Sequence, residues 1–426
     1  MKIAIIGSGV SGLSMAQLLK NDHEVDVFEK KTKSGGLLHC ERVKGNLFHL
    51  VGGHVFNSKN KEVLDWFWAF FDKDKEFLSA KRNAKIFLND KFLNYPIENS
   101  LYNLDDDTAK KIIIEILELY AKKQKSPLSY SNFETFLKGN FGDTLFEIYF
   151  KPYNEKIWKR PLSTIPLEWL EGKLPMPRYE EMITRNILRT DEENMVHNTF
   201  FYPKNNGSQF IIDRLSEGVN VITDNEITSL SKINNKWSVN DFKGYDNVIY
   251  TGDVRILPSV LNIENSPLIN FKNRLSKLRS NGTSNILCEC DMNELSWLYM
   301  PGDETEAHRI IYTGNFSESN NAFGGERRTC VVEFSGNVSD LEMKKQIKKL
   351  PGNLVPIATN HQLNSYIIHD KDTKALIDEV KEVLKPHGIF LLGRFAEWEY
   401  FNMDACIESA MNTKKKYKLN YKNETL

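Results

Sequence analysis

Hydrophobic and polar positions follow three different rhythms along this chain. Lys2 leads into the apolar run Ile3 to Ile6 and a glycine-rich turn. Residues 11 to 20 then carry Leu13, Ala16, Leu18 and Leu19 at helical spacing, and Val25, Val27 and Phe28 mark a second strand. That order predicts a strand–helix–strand unit. From about residue 60 to 200 the rhythm is helical. Val63, Leu64, Phe67, Trp68 and Phe71 fall on one side of a helix. Asp105 to Thr108 supply a cap and an acidic first turn for a helix bearing Ile112, Ile113, Ile116, Leu117 and Tyr120. Between these helices, residues 84 to 92 read as a hairpin turning at Asn89-Asp90. Beyond residue 205 strands return at 219–222, 237–239 and 247–250. Residues 285–335 alternate like antiparallel strands, 389–392 form a buried strand before Gly393, and a last helix covers about 403–419.

This succession predicts an α/β fold: a Rossmann-type nucleotide-binding domain interrupted by long insertions. The expected pieces are 1–58, 201–284 and 371–426 for the nucleotide-binding domain, 59–200 for a mainly helical domain, and 285–370 for an antiparallel-sheet substrate domain. A length of 426 residues asks for such a division, because one simple core does not grow that large. A formal net charge of −1 gives no global attraction to nucleic acid or an anionic membrane. Lys414, Lys415, Lys416 and Lys418 read as a solvated helix end. No apolar stretch approaches the roughly 20 residues of an integral membrane segment, and Ile3 to Ile6 is too short for a signal peptide. Cys40, Cys288, Cys290, Cys330 and Cys406 are odd in number and irregular in spacing, which suits reduced thiols in a cytoplasmic protein. Cys288 and Cys290 should share one face of a strand. The histidines lack metal-ligand spacing and no serine lies in a GxSxG turn, so neither a metal site nor a catalytic triad is expected.

The chemistry starts at Gly7-Ser8-Gly9-Val10-Ser11-Gly12. Gly7 permits a tight strand-to-helix turn, Gly9 lets a pyrophosphate approach the backbone, and Gly12 lets the helix lie close on the sheet. Phosphates would meet the helix N-terminus, with Ser11 beside them. Glu29, followed by Lys30, ends the second strand, where a carboxylate can accept ribose hydroxyls. NAD and FAD share this fingerprint. Lys33-Ser34-Gly35-Gly36-Leu37 adds a second close backbone approach and resembles the GG turn of FAD-dependent amine oxidase-like proteins, so FAD is the expected tightly held cofactor.

Further segments, in their order, resemble the UDP-galactopyranose mutases. Gly52-Gly53-His54-Val55-Phe56 resembles the motif that lays a histidine backbone against the flavin. Tyr153 to Trp158 is similar to the YxEKxW block, whose aromatics line the substrate cleft; alone, Tyr153 and Trp158 could equally be helix-packing anchors. Arg309, ahead of Asn315-Phe316-Ser317, resembles an arginine used on the substrate diphosphate. Gly393-Arg394, continuing to Tyr400, Asn402 and Met403, resembles the block that returns to flavin and diphosphate. There are departures. Asn402 stands where bacterial mutases carry aspartate. Lys173 to Arg178 only hints at a further basic stretch, with Arg189 competing with Arg178 as the second phosphate arginine. The stretch from Phe201 to Ser208 has one glycine, Gly207, in place of two.

The resemblance implies an FAD-dependent isomerase that interconverts pyranose and furanose forms of a nucleotide-diphosphate sugar, UDP-galactose or a relative, for cell-surface polysaccharide synthesis. Reduced flavin N5 attacks the anomeric carbon while the nucleoside diphosphate leaves and returns, and NAD(P)H serves at most as reductant. His54, Arg309, Arg394 and Tyr400 would carry the reaction. Tyr153, Trp158, Arg178, Arg189, Asn315 and Asn402 would bind substrate. Gly7, Gly9, Ser11, Gly12, Glu29, Lys30, Gly36, Leu37, Gly53, His54, Gly393, Arg394, Asn402 and Met403 would hold FAD. An amine oxidase-like hydride transfer is the alternative, and a flavin-binding redox sensor a third reading. Sugar, base and a homodimeric state stay open, and residues 172 to 207 are the expected mobile stretch.

Overall fold

The computed structural model describes residues 1–125, 129–167, 178–190, 199–263 and 266–417. Its first layer is a five-stranded parallel sheet in the order 389–391, 247–250, 2–6, 24–28, 220–222. Each strand is short and apolar because both faces are covered, as parallel sheets require. Ala4, Val248 and Ile389 pack into one core, while Ile3, Ile5, Val27 and Ile249 pack on the other face against Met15, Ala16 and Leu19 of the helix Val10–Leu19. The last helix, Met403–Lys416, lies beside that first helix. The α/β class with a Rossmann-like layer and an antiparallel sheet is thus present. No helix among the described residues is long and apolar enough to cross a membrane.

The second layer is a seven-stranded sheet in the order 355–368, 279–290, 328–335, 307–311, 297–299, 84–88, 91–94. Its end strands come from within 59–200: Ala84–Leu88 lies parallel to Trp297–Tyr299 and turns into Lys91–Asn94. Asn89 and Asp90 both have positive φ, the geometry of a type I′ hairpin. The hairpin read from sequence therefore belongs to this sheet, which crosses the expected division between helical and substrate domains. A second strand pair, Phe77–Lys81 with Thr199–Pro203, brackets the helical insertion. The helix carrying Val63 and Phe67 stops at Trp68; Phe71 is buried beyond its end, next to Asp72, whose side chain caps the following turn.

One face of the large sheet is a core of Ile286, Cys288, Cys290, Leu298, Ile310, Cys330 and Val332. Cys288 and Cys290 do share it, with Cys288 opposite Cys330, and all five cysteines are free and buried. The other face turns toward the helical insertion. Cross-strand register puts Trp297 beside Ile311, Tyr299 beside Arg309 and Arg309 beside Glu333. This face is the wall on which the site is built.

Facing it is a continuous helical stretch from Asp143 to Trp158 that widens into a π turn at Phe146–Phe150. Pro152 has no N–H to give and its ring would strike the carbonyl of the preceding turn, so a widened turn is the relief available. Lys156 pins the stretch to the sheet: its ammonium donates to the carbonyls of Met300, Gly302 and Ala307. Burial lowers its pKa to about 8.

Candidate functional site

The glycine-rich end is a backbone cradle. Gly7 has φ +103, and a Cβ there would lie 2.4 Å from Thr251 Oγ1. A Cβ on Gly12 would lie 2.0 Å from the Gly7 carbonyl oxygen. Gly9 and Gly36 face one another, with the Gly36 Cβ position 3.2 Å from Gly9 Cα. Gly393, at φ +87, presses on Ser11 in the first turn of the helix. That helix has neither a side-chain cap nor an acidic residue in its first turn, and the helix after Asn402 likewise has no side-chain cap. The first N–H groups of the helix Val10–Leu19 are thus left for an anion, whereas the second helix carries Asp404 in its own first turn. Glu29 is buried; Oε2 accepts from Ser8 N (3.0 Å) and Oγ (2.7 Å), and Oε1 from Lys31 N (3.0 Å). These bonds fix the carboxylate at the strand end. The cradle fits a dinucleotide cofactor.

At the far end, Gly52-Gly53-His54 runs against the wall of the large sheet. Gly52 has φ +62, and a Cβ would stand 2.9 Å from Glu333 Oε2 and 3.3 Å from Arg309 Nη2. A Cβ on Gly53 would be 2.5 Å from Ile311 Cγ2. Both glycines are needed for close approach. His54 Nε2 is closed off from solvent and has no hydrogen-bond partner. Burial, with Arg394 and Arg309 nearby, lowers its pKa to about 4, so the ring is neutral at physiological pH.

Arg309 owes its orientation to a β-bulge. Ala307 opposes Phe334 and Arg309 opposes Glu333, leaving His308 as the extra residue, so consecutive side chains reach one carboxylate. Glu333 Oε1 accepts from Arg309 Nε (2.9 Å) and Nη2 (2.6 Å), His308 Nε2 (2.9 Å) and Tyr366 Oη (2.6 Å). Burial would raise the Glu333 pKa, but Arg309 and its hydrogen-bond donors outweigh it and hold the carboxyl well below its usual range. Burial and the neighbouring carboxylate keep the Tyr366 phenol protonated, far above its ordinary range.

Arg394 joins the same cluster through Tyr400, which stacks on Tyr366. Its guanidinium lies 4.5 Å from the Tyr400 ring centroid and donates to the carbonyls of Phe401 (Nε, 2.9 Å) and Ser365 (Nη1, 3.2 Å). The Tyr400 ring stacks on Tyr366 at 5.9 Å and 3°, and Trp158 meets both edge-on. Tyr153 touches Tyr299, the strand neighbour of Arg309. The structure thus brings His54, Arg309, Arg394, Tyr400, Tyr153 and Trp158 into one cluster.

The remaining residues singled out by sequence have other surroundings. Asn315 donates to Asn293 Oδ1 (3.1 Å) and the Leu295 carbonyl (2.8 Å), tying down the turn before Trp297. Arg178 is exposed and pairs with Glu181 at 3.7 Å. Arg189 ends its helix at φ +54 and lies over the Tyr102 ring. Lys173 to Pro177 fall outside the described residues, as do 191–198 within the stretch expected to be mobile. Within that stretch, 179–188 is helix and 199–203 strand. Glu333, His308 and Tyr366 were not singled out by sequence. A signal existed for Glu333: an acid inside the apolar strand 328–335 demands a buried partner.

Comparison with known proteins gives a consistent picture. Residues 5–73 match the model of an NAD(P)-binding Rossmann-like domain. A dTDP-fucopyranose mutase of Escherichia coli is 28% identical over 184 residues, covering 41% of this chain and 46% of that protein. A UDP-galactopyranose mutase of Mycoplasma genitalium is 26% identical over 169 residues, covering 38% of this chain and 41% of its own length. The chain therefore matches under half the length of these curated relatives. A crystal structure of reduced UDP-galactopyranose mutase superposes with a TM-score of 0.85, covering 98% of this chain and 94% of that one at 19% identity. The resemblance to sugar-nucleotide mutases read from dispersed motifs is thus met in sequence, and the fold is shared from end to end.

Proposed function

We propose that this protein is a flavin-dependent mutase that interconverts pyranose and furanose forms of a nucleotide-diphosphate sugar, UDP-galactose or a related sugar. One observation carries the reading: Arg309 and Arg394 converge with the phenols of Tyr366 and Tyr400 beside Gly52-Gly53-His54. A cleft lined by guanidinium groups and phenols suits a diphosphate, whereas hydride transfer from an amine asks for an apolar funnel. The similarity to mutases of dTDP-fucopyranose and UDP-galactopyranose supports the same substrate class.

FAD is the proposed cofactor. Gly7, Gly9, Ser11, Gly12 and Gly36 with Leu37 leave room for its pyrophosphate, and Glu29 with Lys30 lies where a ribose would sit. Gly53, His54 and Arg394 would take the far end, with Gly393, Asn402 and Met403 closing the cradle beside Ser11. Reduced flavin supplies the nucleophile for the anomeric carbon when bound, so no protein nucleophile is needed, and NAD(P)H enters only as reductant. Arg309 and Arg394 stabilise the diphosphate as it leaves and keep it in place for return. Glu333 holds Arg309 in its orientation before substrate arrives. Tyr400 lays its ring against the guanidinium of Arg394 and would offer its hydroxyl to the diphosphate, while Tyr153 and Trp158 would flank the nucleotide. Neutral His54 adds no charge beside the cofactor.

The test uses dithionite-reduced protein with UDP-galactopyranose, UDP-galactofuranose and 6-deoxysugar nucleotides, followed by chromatography. Interconversion of at least one pair is expected. No interconversion, together with steady oxygen-dependent turnover of an amine, would overturn the proposal.

A further inference from the structure

Several half-buried arginines of this protein meet a carboxylate: Arg309 meets Glu333, Arg255 Asp253, Arg160 Asp370, Arg185 Glu181 and Arg214 Glu76. Arg82 does not. Among the described residues no Asp or Glu lies within ion-pair distance of it. Its guanidinium carbon sits 5.2, 5.0 and 5.8 Å from the ring centroids of Tyr95, Trp297 and Tyr299. One Nη donates to the Tyr299 hydroxyl, while Nε is shut off from solvent with no acceptor. Rings supply attraction over the faces of a guanidinium but no acceptor for its edge. A closed-off donor without an acceptor is a cost that folded proteins seldom carry without a use.

Arg82 also lies on the wall already described. Tyr299 is the direct strand partner of Arg309, and Trp297 reaches Phe316, whose ring edge is 3.2 Å from the Cβ position of Gly53. Arg82 therefore stands one strand beyond Arg309, on the side away from Arg394 and Tyr400.

We infer that Arg82 is a specificity-determining residue whose guanidinium edge donates to acceptor oxygens of the nucleotide sugar beyond its diphosphate. This rests on the mutase reading above. The shared chemistry is a pair of neutral oxygen acceptors, matched to a planar fork. Hydroxyls of the sugar ring and the imide carbonyls of a pyrimidine base are the sources, and the Trp297–Phe316–Gly53 connection favours the sugar.

The experiment uses flavin-loaded wild type, Arg82→Lys, Arg82→Met and Tyr299→Phe. It measures the Kd of UDP together with kcat and KM for UDP-galactopyranose and UDP-galactofuranose. Arg82→Lys keeps the caged charge and loses the fork; kcat/KM should fall by about tenfold or more, with bound flavin and Tm retained. UDP affinity unchanged assigns Arg82 to the sugar, whereas UDP affinity falling by the same factor assigns it to the base; both support the inference. If Arg82→Met fails to fold, Arg82→Lys still decides. Constants within about twofold of wild type in Arg82→Lys, with Tyr299→Phe equally silent, would make Arg82 a structural cation and overturn the inference. Wild type that binds no UDP- or dTDP-sugar removes the mutase reading itself, and this inference with it.

Discussion

Around Gly7 to Gly12 the surface offered to a ligand is backbone, gathered chiefly from residues 7 to 36 and closed by Gly393. Around Arg309 it is side chains, gathered from segments as far apart as Gly52, Tyr153, Glu333 and Tyr400. The first surface forms once a strand, a turn and a helix are in place. The second exists only after the helical insertion has docked on the large sheet and the chain has returned to its C-terminal helix. A single substitution should therefore act differently at the two ends. At the glycine end, fold and ligand affinity can be separated. At the arginine end they are entangled, because the charges proposed to face a substrate also hold one another.

The largest expected effect tests that entanglement. Arg309→Ala leaves Glu333, 1% exposed, without its cation. The loss of stability should be about 3 kcal/mol, near the low end for a broken buried pair because the Arg309 side chain keeps 26% of its surface exposed. The pH dependence should invert. In the wild type the Glu333 carboxyl is depressed, so its contribution is full above its ordinary pKa of 4.5 and is lost as pH falls. Without Arg309, burial raises it, and stability should instead fall as pH rises. Arg309→Met with Glu333→Gln should recover most of the loss. Urea midpoints across pH measure all three. A loss below about 1 kcal/mol for Arg309→Ala would mean that the pair does not hold this end together.

The glycine end should separate cleanly. A Cβ on Gly12 meets the Gly7 carbonyl at 2.0 Å, a backbone clash that no rotamer relieves, so Gly12→Ala should cost about 3 kcal/mol. Gly9 is extended at φ −79 and its Cβ would lie 3.7 Å from Gly36 Cα, an ordinary contact. Gly9→Ala should therefore stay within about 0.5 kcal/mol of wild type while losing flavin. Urea unfolding of flavin-free protein and flavin absorbance after gel filtration report the two quantities separately. Equal loss of flavin and stability in Gly9→Ala would erase the contrast.

The same contrast explains what was legible in the sequence. The Rossmann unit follows from local rhythm and glycine spacing, and the hairpin at Asn89-Asp90 from turn chemistry. The partner of that hairpin was hidden, because strand pairing with 297–299 is a contact across two hundred positions. Arg309 and Arg394 were found through motifs, yet what orients Arg309 was not: a bulge at His308 and an acid in the next strand leave no periodic trace. Asn315 shows the opposite case. It lies in a recognised segment, but its amide is spent on the turn at Asn293 and Leu295. The π turn before Tyr153 depends on Pro152 lying inside a continuing helix, which the local sequence does not mark.

Between the two ends lies His49, and pH offers a gentler probe there. It is 1% exposed, with Nε2 2.6 Å from Tyr202 Oη and Nδ1 3.5 Å from Cys40 Sγ. Burial lowers its pKa from 6.5 to about 3. A depressed histidine is protonated first in the unfolded chain as pH falls. Its contribution is therefore full above pH 6.5 and declines by up to about 1.4 kcal/mol per pH unit below that, toward 3. In His49→Gln the slope of stability against pH between 4 and 6.5 should be shallower than in wild type, as read from urea midpoints. An unchanged slope would show that His49 does not carry the acid sensitivity of this core.

The smallest effect on stability belongs to Tyr400→Phe, and it bears most directly on function. The ring would keep its stack on Tyr366, its edge contact with Trp158 and its place over Arg394, because those contacts use the ring and not the hydroxyl. Stability should stay within about 0.5 kcal/mol of wild type. If the hydroxyl serves the diphosphate, as proposed, KM should rise by about tenfold, the worth of one hydrogen bond to a charged acceptor. A tyrosine that acts through its ring alone predicts KM unmoved as well. Arg309→Ala should move both quantities and Gly9→Ala only flavin affinity. Tyr400→Phe is thus the variant in which the arginine end can be made to separate fold from function, and its failure to do so would extend the entanglement to every ring in the cleft.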